Sequence, residues 1–446
     1  METTRNTSNV IFASTLGTTL EWCDFFLFAA CSALVFDKQF FPASTPWTAR
    51  LLALGAFSVG FIARPAGGIV SGVIGDRFGR RKMLLTSLFT MGLGALGIGL
   101  LPTYAMIGWA APILLILLRL LQGFVVGGEW TGAVLMISES VPSKHRGFWT
   151  SFTTSAAPAA NVLSIGSVIL MQMLYGDAGF VAWAWRVPFI FSIVLVVIGF
   201  YARRQIEESP VFLELASRHN LIERSPFREV VRSNKKALVQ TFVLKTAENT
   251  FLYLFSTFLL ILATTYHQVS RARATRLLLW GSVVELAVIP ITGYLSDRLG
   301  RRPILIFGLL GSGLASYSLF ALPPGTTPDR LQLAIALCLA FHGAILGAMA
   351  AYLSELFPTA VRYTGISIGY QFGSILGGSI APLVAVLLLR LHGTPILIAV
   401  YSSVLVIPAI IAVYYSRETC TISLSDLGRK SEMPSEKHDS FEAHIG

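Results

Sequence analysis

An all-α membrane protein, with twelve transmembrane helices in two pseudo-symmetric six-helix bundles, is predicted by three observations. The first is composition. Of 446 residues, 54% are hydrophobic and only 13% charged, whereas an average soluble domain is about 25% charged. The second is the arrangement of the charges. They cluster between continuous apolar stretches of about 20 residues, long enough to cross a hydrocarbon core of ~30 Å as helix. A closed barrel would instead show alternation over ~10 residues. The third is a repeat. Gly75-Asp76-Arg77-Phe78-Gly79-Arg80-Arg81 recurs 221 residues later as Ser296-Asp297-Arg298-Leu299-Gly300-Arg301-Arg302. In the same way Glu139, Pro142 and Arg146 match Glu355, Pro358 and Arg362, each 216 residues apart. Two motifs in register mark two homologous halves.

The elements follow in order. Residues 1–10 precede span 1 (11–36), which holds Glu21 and Asp24 three residues apart, on one helical face. Two carboxylates and the lack of a clear small-residue cleavage site argue against a signal peptide. Span 2 (47–74) holds Arg64, then Pro65, Gly67, Gly68 and Gly72, glycines that permit close helix approach. The first cationic turn leads to span 3 (83–101). Span 4 (107–137) carries Arg119, Gln122, Val126 and Glu129 at spacings of 3, 4 and 3, again one face. Arg119 and Glu129 lie about 15 Å apart along the axis, so each needs a partner on another helix, or a ligand. Span 5 (148–174) offers Asn161, and span 6 (181–202) closes the first bundle, 11–202.

The linker 203–235 mixes charges with Pro210 and Pro226. Within it, 208–218 has a cap signal at Ser209 with Pro210 at the first helical position, which predicts a short amphipathic surface helix. Span 7 (236–266) carries Lys245, Glu248 and Asn249 on one face, and span 8 (275–295) carries Glu285. The second cationic turn, span 9 (303–321) and span 10 (331–356) follow. Span 11 (363–388) presents Tyr370 and Gln371, and span 12 (393–416) completes the second bundle, 236–416. The polar tail, 417–446, lacks sustained heptads and is expected to be largely disordered. Cys23, Cys31, Cys338 and Cys420 form no metal-like spacing.

Lys and Arg set the orientation. The amino terminus, the turns after even-numbered spans and the tail carry 23 of the 34 cations, the opposite side carries 8, and Arg64, Arg119 and Lys245 lie within spans. Both termini are therefore expected in the cytoplasm, and the net charge of +10 needs no nucleic-acid partner.

The turn Gly72, Asp76, Arg77, Gly79, Arg80 and Arg81 resembles the signature of the major facilitator superfamily. Four further stretches resemble its metabolite:proton symporters, the group of shikimate, 2-oxoglutarate, citrate and proline/betaine permeases. They are Glu21-Trp22-Cys23-Asp24-Phe25, Arg64-Pro65-Ala66-Gly67-Gly68, Arg119 through Gly127-Gly128-Glu129-Trp130, and Trp185-Arg186-Val187-Pro188-Phe189. The resemblance covers nearly all of residues 10–416. Cys23 stands where the group usually has Tyr, and Thr131 where Gly is usual. The resemblance implies a multi-pass protein of the bacterial inner membrane that works as a monomer without cofactors.

Ionisable groups at membrane depth cost roughly 2.5–3.5 kcal/mol each on insertion scales, so those present mark function or pairing. Two readings of each stay open here: a role in transport, or a structural ion pair. The transport reading takes Asp24, Glu21 and Glu129 as proton-coupling groups. It takes Arg119, Gln122, Lys245, Asn249, Tyr370 and Gln371 as substrate contacts, with Arg64 and Glu285 as weaker candidates. Arg119 offers a planar fork for a carboxylate. The repeated acids and bases, Asp76, Arg77, Arg80 and Glu139 with Asp297, Arg298, Arg301 and Glu355, are expected to latch the two bundles in one orientation. The leading expectation is proton-coupled uptake of a small organic anion by alternating access. A zwitterion or compatible-solute symporter is the alternative within transport, and a transporter-like sensor the alternative outside it. No metal triad, nucleophile elbow or phosphate loop points to an enzyme.

Overall fold

The structure is a computed structural model that describes residues 2–42, 46–204, 207–209, 212–214, 226–422 and 424. Among the described residues, twelve main helices make up the two halves. In the first half they are α1 (Glu2–Cys31), α2 (Pro46–Phe78), α3 (Arg80–Leu100), α4 (Ala110–Ser140), α5 (Arg146–Gly179) and α6 (Arg186–Arg204). In the second they are α7 (Lys235–Tyr253), α8 (Arg271–Leu299), α9 (Arg301–Phe320), α10 (Pro328–Leu356), α11 (Arg362–Ser374) and α12 (Ile396–Tyr414). α11 continues through Ile375–Ile380 into Ala381–His392. Among the described residues, eleven helices are long and apolar enough to cross a membrane, and α6 adds a shorter apolar one, Arg186–Tyr201. No strand occurs among the described residues.

The duplication is visible in the backbone. α2 and α8 both stop at a glycine of the cationic turn: Gly79 has φ 104° and Gly300 φ 101°. A side chain is strained at such an angle, so glycine lets the chain reverse directly into the next helix. Both first helices of the halves also loosen at matching points. α1 passes into a π turn at Ser32–Phe36, and α7 into one at Leu254–Phe258.

Within the first half α2 runs along α4, where a side chain at Gly67 would collide with the backbone of Phe124, and one at Gly123 with that of Gly60. The halves meet where α2 lies against α11 and, at the equivalent place, where α5 lies against α8. Apolar clusters fill each half: one gathers Phe36, Phe40 and Trp185, another gathers Phe251, Phe255 and Phe258.

The structure adds to the expected boundaries at two places and agrees with the linker reading at a third. α6 runs past residue 202 to Arg204, and Arg203 is buried rather than in a loop. The tail is ordered at its start: Glu418, Thr419, Ile422 and Leu424 pack against the bundles. In the linker, Ser209 Oγ accepts from Phe212 N at 3.2 Å, as a helix cap does, and 212–214 are helical. Pro210 and 215–218 lie outside the described residues.

Candidate functional site

Two adjoining cavities lie between the halves. The larger is bordered by Trp22, Trp130 and Asn161 from the first half and by Lys245, Glu248, Glu285 and Tyr370 from the second. Its floor is an aromatic seam. Trp130 of α4 stacks on Tyr370 of α11 with ring centroids 4.2 Å apart, and Lys245 Nζ sits 4.0 Å from the Tyr370 centroid. The smaller shares Trp22, Trp130 and Tyr370 and adds Glu21, Arg64, Glu129 and Gln371.

The first half contributes two charge clusters. α6 delivers Arg203 to Glu21 of α1 and Glu129 of α4. Nη1 lies 3.5 Å from Glu21 Oε1 and donates to Leu84 O at 2.8 Å, and Nη2 pairs with Glu129 Oε1. Thr18 donates to Glu129 at 3.1 Å and Ser87 to Glu21 at 3.4 Å. Two carboxylates thus face one guanidinium. Asp24 interacts with Arg119 and Ser192, in a cluster apart from these two cavities.

Arg119 is placed differently from expectation. Its guanidinium lies 4.6 Å from the Phe25 ring and 4.4 Å from the Phe28 ring, packs on Gly60, and borders neither cavity. Helical spacing put it on one face with Glu129, but the aromatic side chains of α1 cover it. Gln122 is also off the cavities. It packs against Gly94 of α3, and both of its amide atoms are buried without a hydrogen-bond partner among the described residues.

The cation that does border the smaller cavity is Arg64. It lies 4.3 Å from the Phe61 ring and 4.6 Å from that of Phe25, with Trp22 at 5.9 Å. It has no carboxylate partner among the described residues, and its Nε is buried without a hydrogen bond.

In the second half, Lys245 Nζ is 2.5 Å from Glu248 Oε2. Behind them stands His342 of α10, which sequence reasoning passed over. Its Nδ1 is 2.5 Å from Glu285 Oε1 and its Nε2 is 3.6 Å from Glu248 Oε1. The signal was available, since a histidine inside an apolar span carries the same cost as any ionisable group. Asn249 donates to Ser374 O at 3.3 Å, tying α7 to α11. Gln371 donates to Gly127 O at 2.7 Å, which joins the halves.

At the end of the bundles that carries the termini, the repeated motifs cross between halves. Asp76 of α2 accepts from Tyr363 N at 3.3 Å and Thr364 N at 2.9 Å, the start of α11. Asp297 of α8 accepts from Gly147 N and Phe148 N at 2.8 Å each, the start of α5. Each carboxylate therefore caps a helix of the opposite half, where free N–H groups and the helix dipole favour an anion. The buried glutamates bridge as well. Glu139 accepts from Arg362 at 2.9 Å and faces Arg80 at 3.5 Å. Glu355 accepts from Arg146 at 2.7 Å and from Arg301 at 3.2 Å. Arg77 and Arg298 stand outside this network: both are exposed, and Arg298 lies over the Tyr294 ring.

A further repeated pair completes each cage. Glu208 accepts from Arg80 N at 3.0 Å and Arg81 N at 3.1 Å, and Ser209 donates to Glu139 at 2.5 Å. Glu418 accepts from Arg301 N at 2.8 Å and Arg302 N at 3.2 Å, and Thr419 donates to Glu355 at 2.6 Å. Partial burial works against the Glu418 charge, but backbone N–H groups of Arg301, Arg302, Cys420 and Thr419 outweigh it and hold the carboxyl below its ordinary range. The tail carbonyls of Ile422 and Leu424 accept from Arg146 and Arg362 at 3.3 Å each.

Comparison with known proteins agrees with this architecture. Residues 10–268 match the family model of sugar (and other) transporters, and residues 249–430 that of the major facilitator superfamily. The chain is 37% identical over 393 residues to the inner membrane metabolite transport protein YhjE of Escherichia coli, covering 86% of this chain and 89% of that one. It is 35% identical to the shikimate transporter of Escherichia coli, over 84% of this chain and 86% of that one. It is 31% identical to the proline/betaine transporter of Salmonella typhimurium, over 98% and 90%. Among solved structures, the proton:xylose symporter XylE bound to 6-bromo-6-deoxy-D-glucose superposes with a TM-score of 0.77 at 18% identity, over 96% of this chain and 99% of that one. The chain belongs to the major facilitator superfamily. It is a multi-pass membrane transporter of small molecules, not an enzyme.

Proposed function

We propose that this transporter couples proton entry to uptake of a small organic acid by alternating access, with Arg64 as the anion contact. One observation carries the reading. Arg203, Arg119 and Lys245 each interact with a carboxylate of the protein, whereas Arg64 lies against aromatic rings at the smaller cavity and forms no ion pair among the described residues, the cavity's two carboxylates, Glu21 and Glu129, being held by Arg203. A charge in a low-dielectric site is costly until it is paired, so an incoming carboxylate completes this one, and the guanidinium fork suits it. The Glu21–Glu129 pair supplies the proton site. Two carboxylates against one guanidinium leave one surplus negative charge, which a single proton removes. Asp24, held with Arg119, is a second proton site in the same half.

In this reading the termini are cytoplasmic, with bundles 11–202 and 236–416 joined by a cytoplasmic linker. The crossed networks then close the cytoplasmic end. A zwitterion symporter is the second reading. The rings of Trp22, Trp130 and Tyr370 around the cavities suit a cationic headgroup.

The experiment is uptake into proteoliposomes under an imposed pH gradient, with mono- and dicarboxylates and betaine as substrates. Acid outside should drive accumulation of a carboxylate, and a protonophore should abolish it. Arg64→Gln should weaken binding by roughly tenfold or more, from the loss of a charged hydrogen bond of about 1.5–3 kcal/mol. Sodium-driven accumulation that ignores the protonophore would refute proton coupling, and betaine uptake without any carboxylate uptake would favour the second reading.

A further inference from the structure

The larger cavity is backed by a chain of titratable groups that shares no ion pair with the Arg203 cluster. It runs from Lys245 through Glu248 and His342 to Glu285, with contacts of 2.5, 3.6 and 2.5 Å. All four side chains are buried, and Lys245, Glu248 and Glu285 border the cavity. The groups that face His342 are Glu285 on α8 and Glu248 on α7; Lys245 of α7 and Tyr370 of α11 lie beyond Glu248. We propose that His342 is a proton-loading residue whose charge decides whether Lys245 is available to the substrate, so that the second half selects a small dicarboxylate. The proposal rests on the organic-acid reading above and deepens it.

The argument is one of donors and charge. A neutral imidazole has one N–H to give, to Glu285 or to Glu248. In that state Lys245 is the one full cation facing two carboxylates, the chain carries a net negative charge, and the ammonium stays with Glu248. An imidazolium gives both N–H groups and satisfies Glu285 and Glu248 together. Lys245 can then turn to the cavity, where its ammonium already lies against the Tyr370 ring. Arg64 takes one carboxylate of the ligand and the freed Lys245 takes the other. Proton and dianion therefore favour each other, and the coupling is reciprocal. The one bond that forms and breaks is an imidazole N–H: the proton enters at a ring nitrogen and leaves from it.

The test uses the full chain in nanodiscs. Histidine-selective ¹⁵N labelling gives ring signals for the seven histidines, and His342→Gln identifies the one at issue. That signal should change protonation state between about pH 5 and 9, and Glu285→Gln should move the change to lower pH. A signal fixed in one state across the range overturns the proposal. Succinate and acetate are then bound, with proton uptake followed by an indicator dye. Succinate should tighten up to about tenfold per unit fall in pH where the imidazole is mostly neutral, and His342→Gln should take up about one proton fewer. Because that change leaves Glu285 without its donor, His342→Gln/Glu285→Gln is measured beside it with a thermal melt as a folding control. Equal proton uptake by wild type and both variants overturns the proposal. Acetate binding without succinate binding overturns the dicarboxylate assignment while the organic-acid reading stands. Binding of neither sinks that reading, and with it the substrate half of the proposal.

Discussion

Arg203 is a single guanidinium between Glu21 and Glu129. Arg203→Leu would leave both carboxylates buried in the bundle without their cation. Breaking a buried pair this way costs about 3–5 kcal/mol, so the melting temperature should fall sharply. Adding Glu129→Gln removes one stranded charge and should recover part of the loss. An equal loss with and without the second change would mean that Arg203 acts through packing alone. The linker as read from the sequence begins at residue 203, which places Arg203 outside the spans. Arg203-Arg204 stands where hydropathy ends, and a cation at a boundary looks the same whether it meets water or turns inward. Arg64 and Arg119 pose the same problem. Spacing along one helix gives a residue's face, but not which neighbour covers it. Only packing shows that Phe25 and Phe28 lie over Arg119, while Arg64 reaches a cavity.

At the scale of elements, the twelve spans were legible because membrane helices are written as long apolar runs between charge clusters. The caps of α3 and α9 were not. Glu208-Ser209 and Glu418-Thr419 are an acid–hydroxyl pair that follows the last helix of each half, too short a repeat to stand out from a polar linker and tail. Their effect is measurable. Glu418→Ala removes the acceptor at the start of α9 and should cost about 1 kcal/mol, as other capping losses do. Its pH dependence has a definite sign. The folded chain holds the Glu418 carboxyl below its ordinary range, so it favours the ionised form more than the unfolded chain does. The stabilisation is complete above about pH 4.3 and is lost as pH falls through the lowered folded value. Melting curves of wild type and Glu418→Ala should therefore differ at pH 7 and converge in strong acid. A gap that persists there would assign the effect to packing of the side chain.

For the whole molecule, orientation and closure are separate questions. The cation bias predicts that a membrane-impermeant thiol reagent added outside reaches Thr326→Cys, in the turn between α9 and α10, and not His145→Cys, in the turn before α5. The reverse pattern would invert the topology. Closure rests on contacts that the repeat announced in residue type but not in geometry. The acids and bases recur in the sequence, yet nothing in it says that Asp76 caps α11 or that Asp297 caps α5. The crossing makes the two contacts equivalent and reciprocal, so weakening either should favour opening at that end. Asp297→Asn keeps one carbonyl acceptor but loses its charge toward Gly147 and Phe148 and toward Arg301. If about 1.4 kcal/mol of closed-state stabilisation is lost, the ratio of closed to open forms falls about tenfold. Asp76→Asn should act in the same direction through α11. Neither residue borders the cavities, so substrate affinity measured within one conformation should barely change, while the rate of net uptake should shift strongly. Exchange of labelled for unlabelled substrate, set beside net uptake, separates the two effects. A large loss of affinity with an unaltered cycling rate in either variant would remove the latch role and leave the aspartates as caps that only hold the fold.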